Sequence, residues 1–297
     1  MASEAGTLSR ATPLVAVRCD LCGGDRSKMT LQKRGALDDR LFTIVRCIDC
    51  GLVYVNPRLD DDAINRLYDE AYFHGRGFDR TIGWDLRPID EVRRDSRPFV
   101  ATLDEAMGGL GGRSVLDIGC GFGGFVRALL AEGAEAYGLD DSPIAVKACE
   151  QNGTPLLAYT IDELVAAGKR FDAVTMIEVL EHVTSPRAFL QSAVRLLKPG
   201  GVLYVSTGNW NFVRHDRLDP GTPYIMPEGH IYYFTPVTLR RYFRVLSLEP
   251  IDVMNRAWVG SRRLQSHLGP TLTHALASIV SRVAPGYGPF PLARRPA

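Results

Sequence analysis

Val115-Leu116-Asp117-Ile118-Gly119-Cys120-Gly121-Phe122-Gly123-Gly124 decides how the chain is read. A short apolar run ends at a carboxylate and enters a glycine-rich turn. Phe125-Val126-Arg127-Ala128-Leu129-Leu130 then carries the start of a helix. Gly119, Gly121 and Gly124 satisfy G-x-G-x-x-G, and with Gly123 they leave no side chains between the backbone and a ligand. Such a turn, at the carboxyl end of a first strand, is where open α/β sheets bind nucleotide-like groups.

Outward from this turn the pattern alternates. Apolar runs predict strands at 113–118, 135–140, 155–159, 171–177 and 201–207, and Phe171-Asp172-Ala173-Val174-Thr175-Met176-Ile177 suits a buried parallel strand. Helices are expected near 122–132, 142–152, 161–167 and 186–197. The alternation predicts an α/β fold with a doubly wound, mostly parallel, Rossmann-like sheet. Leu197-Lys198-Pro199-Gly200-Gly201 reads as helix stop, turn and strand start. Before the sheet, Asp60 to Tyr68 reads as an N-capped helix and Asp90 to Met107 as a longer one. After it, Thr235 to Phe243 reads as a helix followed by a strand near 245–254.

Two cofactor classes fit the glycine turn. Asp140 ends the second strand 19 residues after Gly121, where an acid can hold both hydroxyls of a ribose, in NAD or in another adenosine cofactor. Asp117 separates them. Its carboxylate would lie beside a dinucleotide pyrophosphate and repel it, whereas it suits a cationic amino-acid tail. The spacing points to an adenosine joined to a zwitterion, and nicotinamide binding is the alternative.

Cys19-Asp20-Leu21-Cys22-Gly23 and Cys47-Ile48-Asp49-Cys50-Gly51 repeat C-x-x-C-G. Two intervening residues let both thiolates of a pair reach one ion, and four thiolates satisfy tetrahedral zinc. With no open coordination position, the metal is expected to be structural. A redox pair, an iron–sulfur centre and disulfides are the weaker readings. The segment is too small to bury a core unaided, so metal binding would supply folding energy. Cys120 and Cys149 stand apart and read as free thiols.

These segments resemble the class I S-adenosylmethionine-dependent methyltransferases. The resemblance rests on Val115 to Gly124, Ala136-Tyr137-Gly138-Leu139-Asp140-Asp141-Ser142, Phe171 to Val174 with Glu178-Val179-Leu180-Glu181-His182-Val183, and Leu197 to Leu203, in order and at the usual spacing. It covers about residues 95–255. It implies S-adenosyl-L-methionine as cofactor. Asp117, Gly119, Gly121 and Gly123 would then meet the methionine moiety, Asp140 and Asp141 the ribose side, and Asp162 the adenine edge. Asp162 could equally be a helix N-cap. Glu178 would sit where cofactor and acceptor meet. The cysteine segment is similar, more loosely, to that of deoxysugar and natural-product methyltransferases; a zinc module also precedes some ribosomal RNA methyltransferases.

A methyl donor that is already activated leaves the protein to align the nucleophile and remove a proton. His230, in Pro227-Glu228-Gly229-His230-Ile231-Tyr232-Tyr233, is the candidate base, with Glu228 beside it and His182 as a second candidate. Tyr68, Tyr72 and His74 are candidates for a lid over the cofactor. The expected acceptor is a small molecule, a sugar or a biosynthetic intermediate, methylated on oxygen before carbon. RNA base methylation and a cofactor-binding regulator without chemistry are the alternatives.

Composition is that of an ordinary soluble globular protein. The chain has 297 residues, 45% hydrophobic and 23% charged, with a net charge of +1, so nucleic acid is not the expected partner. From Arg240 onward there are nine arginines, no lysine, and only Glu249 and Asp252 as acids. No apolar run is long enough to span a membrane, and a cytoplasmic location is expected. The expected organisation is a flexible leader (1–12), a zinc-binding module (13–56), a helical lid or linker (57–112), and a methyltransferase domain with a basic extension (113–297). Leu272, Ala275, Leu276, Ile279, Val280 and Val283 share one helical face, expected to pack in the core or in a homo-oligomer.

Overall fold

The computed structural model describes residues 12–37, 39–68, 72, 88–158, 160–213, 224–251 and 292–297. Residues 1–11 of the expected leader, His74 of the candidate lid, and the apolar face at 272–283 lie outside the described residues.

From residue 114 the expected alternation is present. Strands β6 (Ser114–Ile118), β7 (Glu135–Leu139), β8 (Leu156–Ala158), β9 (Phe171–Ile177) and β10 (Leu197–Ser206) are all parallel to their neighbours among these five. Two antiparallel strands, β13 (Leu292–Arg294) and β12 (Glu249–Ile251), extend one edge, giving the order β12-β13-β10-β9-β6-β7-β8. The order reverses between β6 and β9. That switch point opens a crevice at the carboxyl ends of the strands, and the glycine turn leaves β6 there. Val115, Leu116, Val174, Leu203 and Val205 are fully buried, as strands covered on both faces require.

The helices follow their local signals. Helix α2 (Ile89–Met107) ends at Gly108, whose φ of 68° closes the last turn, and Phe99 packs edge-on against Phe125 of α3 (Gly124–Ala131). Helix α4 (Pro143–Asn152) is capped by the Ser142 hydroxyl, with proline at its start. Helix α5 (Ile161–Ala166) opens on a reciprocal capping box between Thr160 and Glu163. Helices α6 (Pro186–Arg195) and α8 (Pro236–Val245) also begin with proline. Between them, α7 (Trp210–Val213) is a single turn. The early acidic signal gives α1 (Asp61–Asn65), capped by the Asp60 carboxylate.

Two strands differ from the sequence reading. Strand β10 begins at Leu197, not at 201: Lys198 to Gly201 form an irregularity where the register against β9 jumps. The strand expected near 245–254 begins only at Glu249, because α8 runs through Val245 and Ser247, at φ 56°, turns the chain; its expected end at 252–254 lies outside the described residues.

The cysteine segment forms a second, antiparallel sheet of β2 (Ser27–Arg34), β3 (Leu41–Cys47) and β4 (Val53–Val55). Its fourth strand, β11 (Tyr232–Tyr233), comes from the far end of the chain and pairs with β4. Strand β1 (Leu14–Val15) pairs with β5 (Arg58–Leu59). One buried cluster runs from Phe42, Ile44 and Tyr54 through Tyr232 and Phe234 to Val174 and Leu203, so the two sheets share a core.

Candidate active site and cysteine centre

A cavity of about 830 Å³ lies at the switch point. It is lined by the end of β6 and the glycine turn, the acids after β7, the start of α5, the segment after β9, Tyr68 and Tyr72, and Tyr224, Met226 and His230. Of the residues predicted to act here, Asp117, Gly119, Gly121, Asp140, Asp141, Asp162, Glu178, Tyr72, His182 and His230 all line it.

Two glycines shape the turn. Gly119 has φ 70°, and a Cβ there would stand 2.6 Å from Val179 Cγ2. Gly123 does not face the cavity, contrary to expectation. At φ 76° it precedes α3, and a Cβ would meet Thr154 Oγ1 at 2.4 Å, so its role is close packing behind the turn.

The carboxylates are held from the strand ends. Asp117 is 3% exposed and accepts a hydrogen bond from Thr175 Oγ1 at 2.6 Å. Asp140 accepts from the Gly121 N–H at 2.9 Å and the Ser142 N–H at 3.0 Å, which ties the turn to the second strand. Burial raises its pKa to about 6, outweighing the two N–H groups, which lower it. Thr160, not Asp162, caps α5, leaving Asp162 in the first turn on the cavity wall.

Glu178 is the strained residue of the site. Its φ of 54° lies in the left-handed region, which costs a non-glycine residue about 1–3 kcal/mol. Its N–H bonds to the Ser206 carbonyl at 2.8 Å, and Ser206 Oγ reaches its carboxylate at 3.4 Å.

Beyond it stands a buried polar group. The rings of His182 and His230 are 4.6 Å apart, centre to centre. His230 Nδ1 lies 2.6 Å from the Tyr224 carbonyl, which can only accept, so Nδ1 carries a proton. His182 Nδ1 is 2.7 Å from the Tyr68 hydroxyl and 3.2 Å from the Gly229 carbonyl. Burial, then His230, hold the His182 pKa well below the usual imidazole range, so its ring is neutral.

The sequence reading missed two members. Glu181 is fully buried, and burial, then Glu178, raise its carboxyl well above the ordinary range. It offers a ligand atom within 4.8 Å of those of His182 and His230, a set able to hold a cation. Its signal was its place within the Glu178–Val183 segment. Tyr224 shares a hydrogen bond with Thr207 at 3.0 Å, and no sequence signal marked it.

Glu228 is the clear correction. It is fully buried but does not line the cavity; its Oε1 accepts from the Leu37 N–H at 3.1 Å, in the turn joining β2 and β3. Adjacency to His230 suggested catalysis, but its carboxylate fastens the cysteine sheet to the His230 segment instead.

The four cysteines converge. Their sulfurs lie within 4.8 Å of one another, with Cys19 to Cys50 at 3.3 Å and Cys22 to Cys47 at 3.6 Å. Zinc–sulfur bonds of about 2.3 Å at tetrahedral angles give separations of roughly 3.8 Å, so the set fits. Backbone N–H groups of Cys22, Gly24 and Leu52 point at the sulfurs of Cys19, Cys22 and Cys50. The Cys19 side chain helps pull Cys50 down to about 5, while Cys19 itself is raised, so without a cation the four thiols cannot all ionise together.

Residues 89–252 match the family described as Methyltransferase domain. A "Ubiquinone biosynthesis O-methyltransferase" of Alkalilimnicola ehrlichii is 36% identical over 182 residues, covering 56% of this chain and 72% of that protein. One of the same name from Cereibacter sphaeroides is 37% identical over 153 residues, 48% of this chain and 62% of that protein. A solved S-adenosylmethionine-dependent methyltransferase from Archaeoglobus fulgidus superposes with a TM-score of 0.44 at 20% identity, over 70% of this chain and 95% of that one. Among the described residues no helix is long and apolar enough to cross a membrane. With more than half of its length in the matched region, the chain belongs to the methyltransferase-domain family and is an S-adenosylmethionine-dependent methyltransferase.

Proposed function

We propose that this enzyme methylates a hydroxyl oxygen of a small-molecule acceptor and uses His230 as the general base. The observation that carries the reading is the place of His230. Its ring lines the cavity and its Nδ1 proton is committed to the Tyr224 carbonyl, so a proton taken from the acceptor would go to Nε2. Oxygen acceptors need such a base, and relatives sharing about a third of their aligned residues carry the name O-methyltransferase.

In this reading Asp117 and the glycine turn hold the cationic amino-acid end of the cofactor, Asp140 its ribose, and Asp162 its adenine. When bound, S-adenosylmethionine supplies an activated methyl group. Tyr68, Tyr72 and Tyr224 wall the acceptor side and exclude water, while neutral His182 keeps the Tyr68 hydroxyl in place. The four cysteines hold structural zinc, with no position open for chemistry.

The test is incubation with isotope-labelled S-adenosylmethionine and a metabolite extract, with mass spectrometry of the product. His230→Ala is expected to lower turnover by about 100-fold or more, the usual worth of a positioned base, with S-adenosylhomocysteine affinity within about threefold of wild type. Unchanged turnover would remove His230 from this role. A label transferred to carbon, nitrogen or RNA would overturn the oxygen assignment.

A further inference from the structure

Asp20 sits between two of the four converging cysteines, yet its side chain leaves the cysteine sheet altogether. Oδ1 accepts from the Arg187 N–H at 2.7 Å and from the Tyr242 hydroxyl at 2.8 Å; Oδ2 accepts from Ser185 Oγ at 2.9 Å. Ser185 is the N-cap residue of α6, and it makes no side-chain cap within its own helix. Pro186 has no N–H, so Arg187 carries an N–H near the helix start, where no intrahelical partner exists. An acid from a segment 165 residues away therefore supplies the cap. Carboxylates at this position also meet the positive end of the helix dipole.

The helix capped in this way is a wall of the active-site cavity. Thr184, Ser185, Ala188, Phe189 and Ser192 line it. A second tie fixes the same seam, since Arg241 Nη1 donates to the Cys50 carbonyl.

We propose that Asp20 is a positioning residue that fastens the cavity wall at α6 to the four-cysteine centre, so that metal in the centre and cofactor in the cavity support each other. The proposal rests on the zinc and cofactor readings above. Fixing Cys19 and Cys22 on one ion holds the loop that carries Asp20, and Asp20 holds the first turn of α6. Coupling of this kind is reciprocal: what the metal does for cofactor affinity, the cofactor does for metal retention.

The experiment uses full-length wild type, Asp20→Ala and Asp20→Asn. Each is assayed for metal by elemental analysis, for amide exchange of peptides covering 185–192, and for S-adenosylhomocysteine affinity by calorimetry, before and after chelation. Asp20→Ala is expected to keep its metal, yet to exchange about fivefold to tenfold faster over 185–192 and to bind S-adenosylhomocysteine about fivefold more weakly. Asp20→Asn keeps one acceptor and recovers at least half of the lost protection. Chelation weakens the wild type by a similar factor and weakens Asp20→Ala no further, since the two act through one link. Metal-replete Asp20→Ala with wild-type exchange and affinity overturns the proposal, as does a chelation effect undiminished in that variant. Should chelation unfold the chain, the two metal-replete variants decide. A wild type that carries no metal overturns the zinc reading and the metal coupling with it, while the exchange data still decide whether Asp20 caps α6.

Discussion

Replacing Asp140, the proposed ribose ligand, with asparagine separates its charge from its shape. In the ligand-free protein burial raises this carboxyl from 3.8 to about 6. That difference corresponds to about 3 kcal/mol of stability, fully present below pH 3.8 and lost as pH rises through about 6, where the buried charge must form. In the proposed binding mode ribose hydroxyls donate to the carboxylate and favour its charged form. Cofactor affinity is therefore highest above pH 6 and falls by about tenfold for each unit below it, as binding must first displace a proton. Asparagine removes the charge and keeps only one acceptor, while its NH₂ faces one of the two N–H groups now bound by the acid, from Gly121 or Ser142. Losing one charge-assisted bond of about 1.5–3 kcal/mol weakens S-adenosylhomocysteine roughly 10- to 100-fold at pH 7.5. The variant should also lose the pH dependence between 5 and 7. The unliganded protein gains up to about 3 kcal/mol at neutral pH, offset by about 1–2 kcal/mol for the lost N–H acceptor. Calorimetry across that range, with urea unfolding in parallel, reads all three. An asparagine variant with the wild-type pH profile would refute the reasoning, because the titrating group would lie elsewhere.

Other outcomes follow from named contacts. Gly123→Ala forces a left-handed residue into a site where its Cβ meets Thr154 at 2.4 Å. It should cost about 2–4 kcal/mol in chemical denaturation, and a cost below about 1 kcal/mol would contradict the packing role. The purified protein should carry one zinc per chain, and chelation should lower its melting temperature by on the order of 10 °C or more. A metal-free chain with an unchanged melting curve would show that the cysteines fold without an ion.

Much of the sheet and half of the site were legible because their signals are local. The glycine turn, the acids at 117 and 140, and the helix starts at Ser142 and Pro186 are each set by a few adjacent residues. The two C-x-x-C-G pairs converge as their spacing implies. What was not legible depends on contacts between distant segments. Strand β11 is two residues long and exists only because β4 lies beside it, nearly 180 residues earlier in the chain. Glu228 looks catalytic beside His230, yet its partner is the backbone of Leu37. Gly123 lies within the glycine turn but serves the packing of Thr154 behind it. Asp20 looked like a spacer between two ligands until the start of α6 was placed against it.

The most direct test of the account is a crystal structure with S-adenosylhomocysteine bound. The ligand is expected in the cavity at the switch point, with ribose hydroxyls on Asp140, the amino-acid end beside Asp117 and the glycine turn, and sulfur directed toward the His182 and His230 side. Ligand found outside that cavity, or lying in it with its ribose away from Asp140, would contradict it.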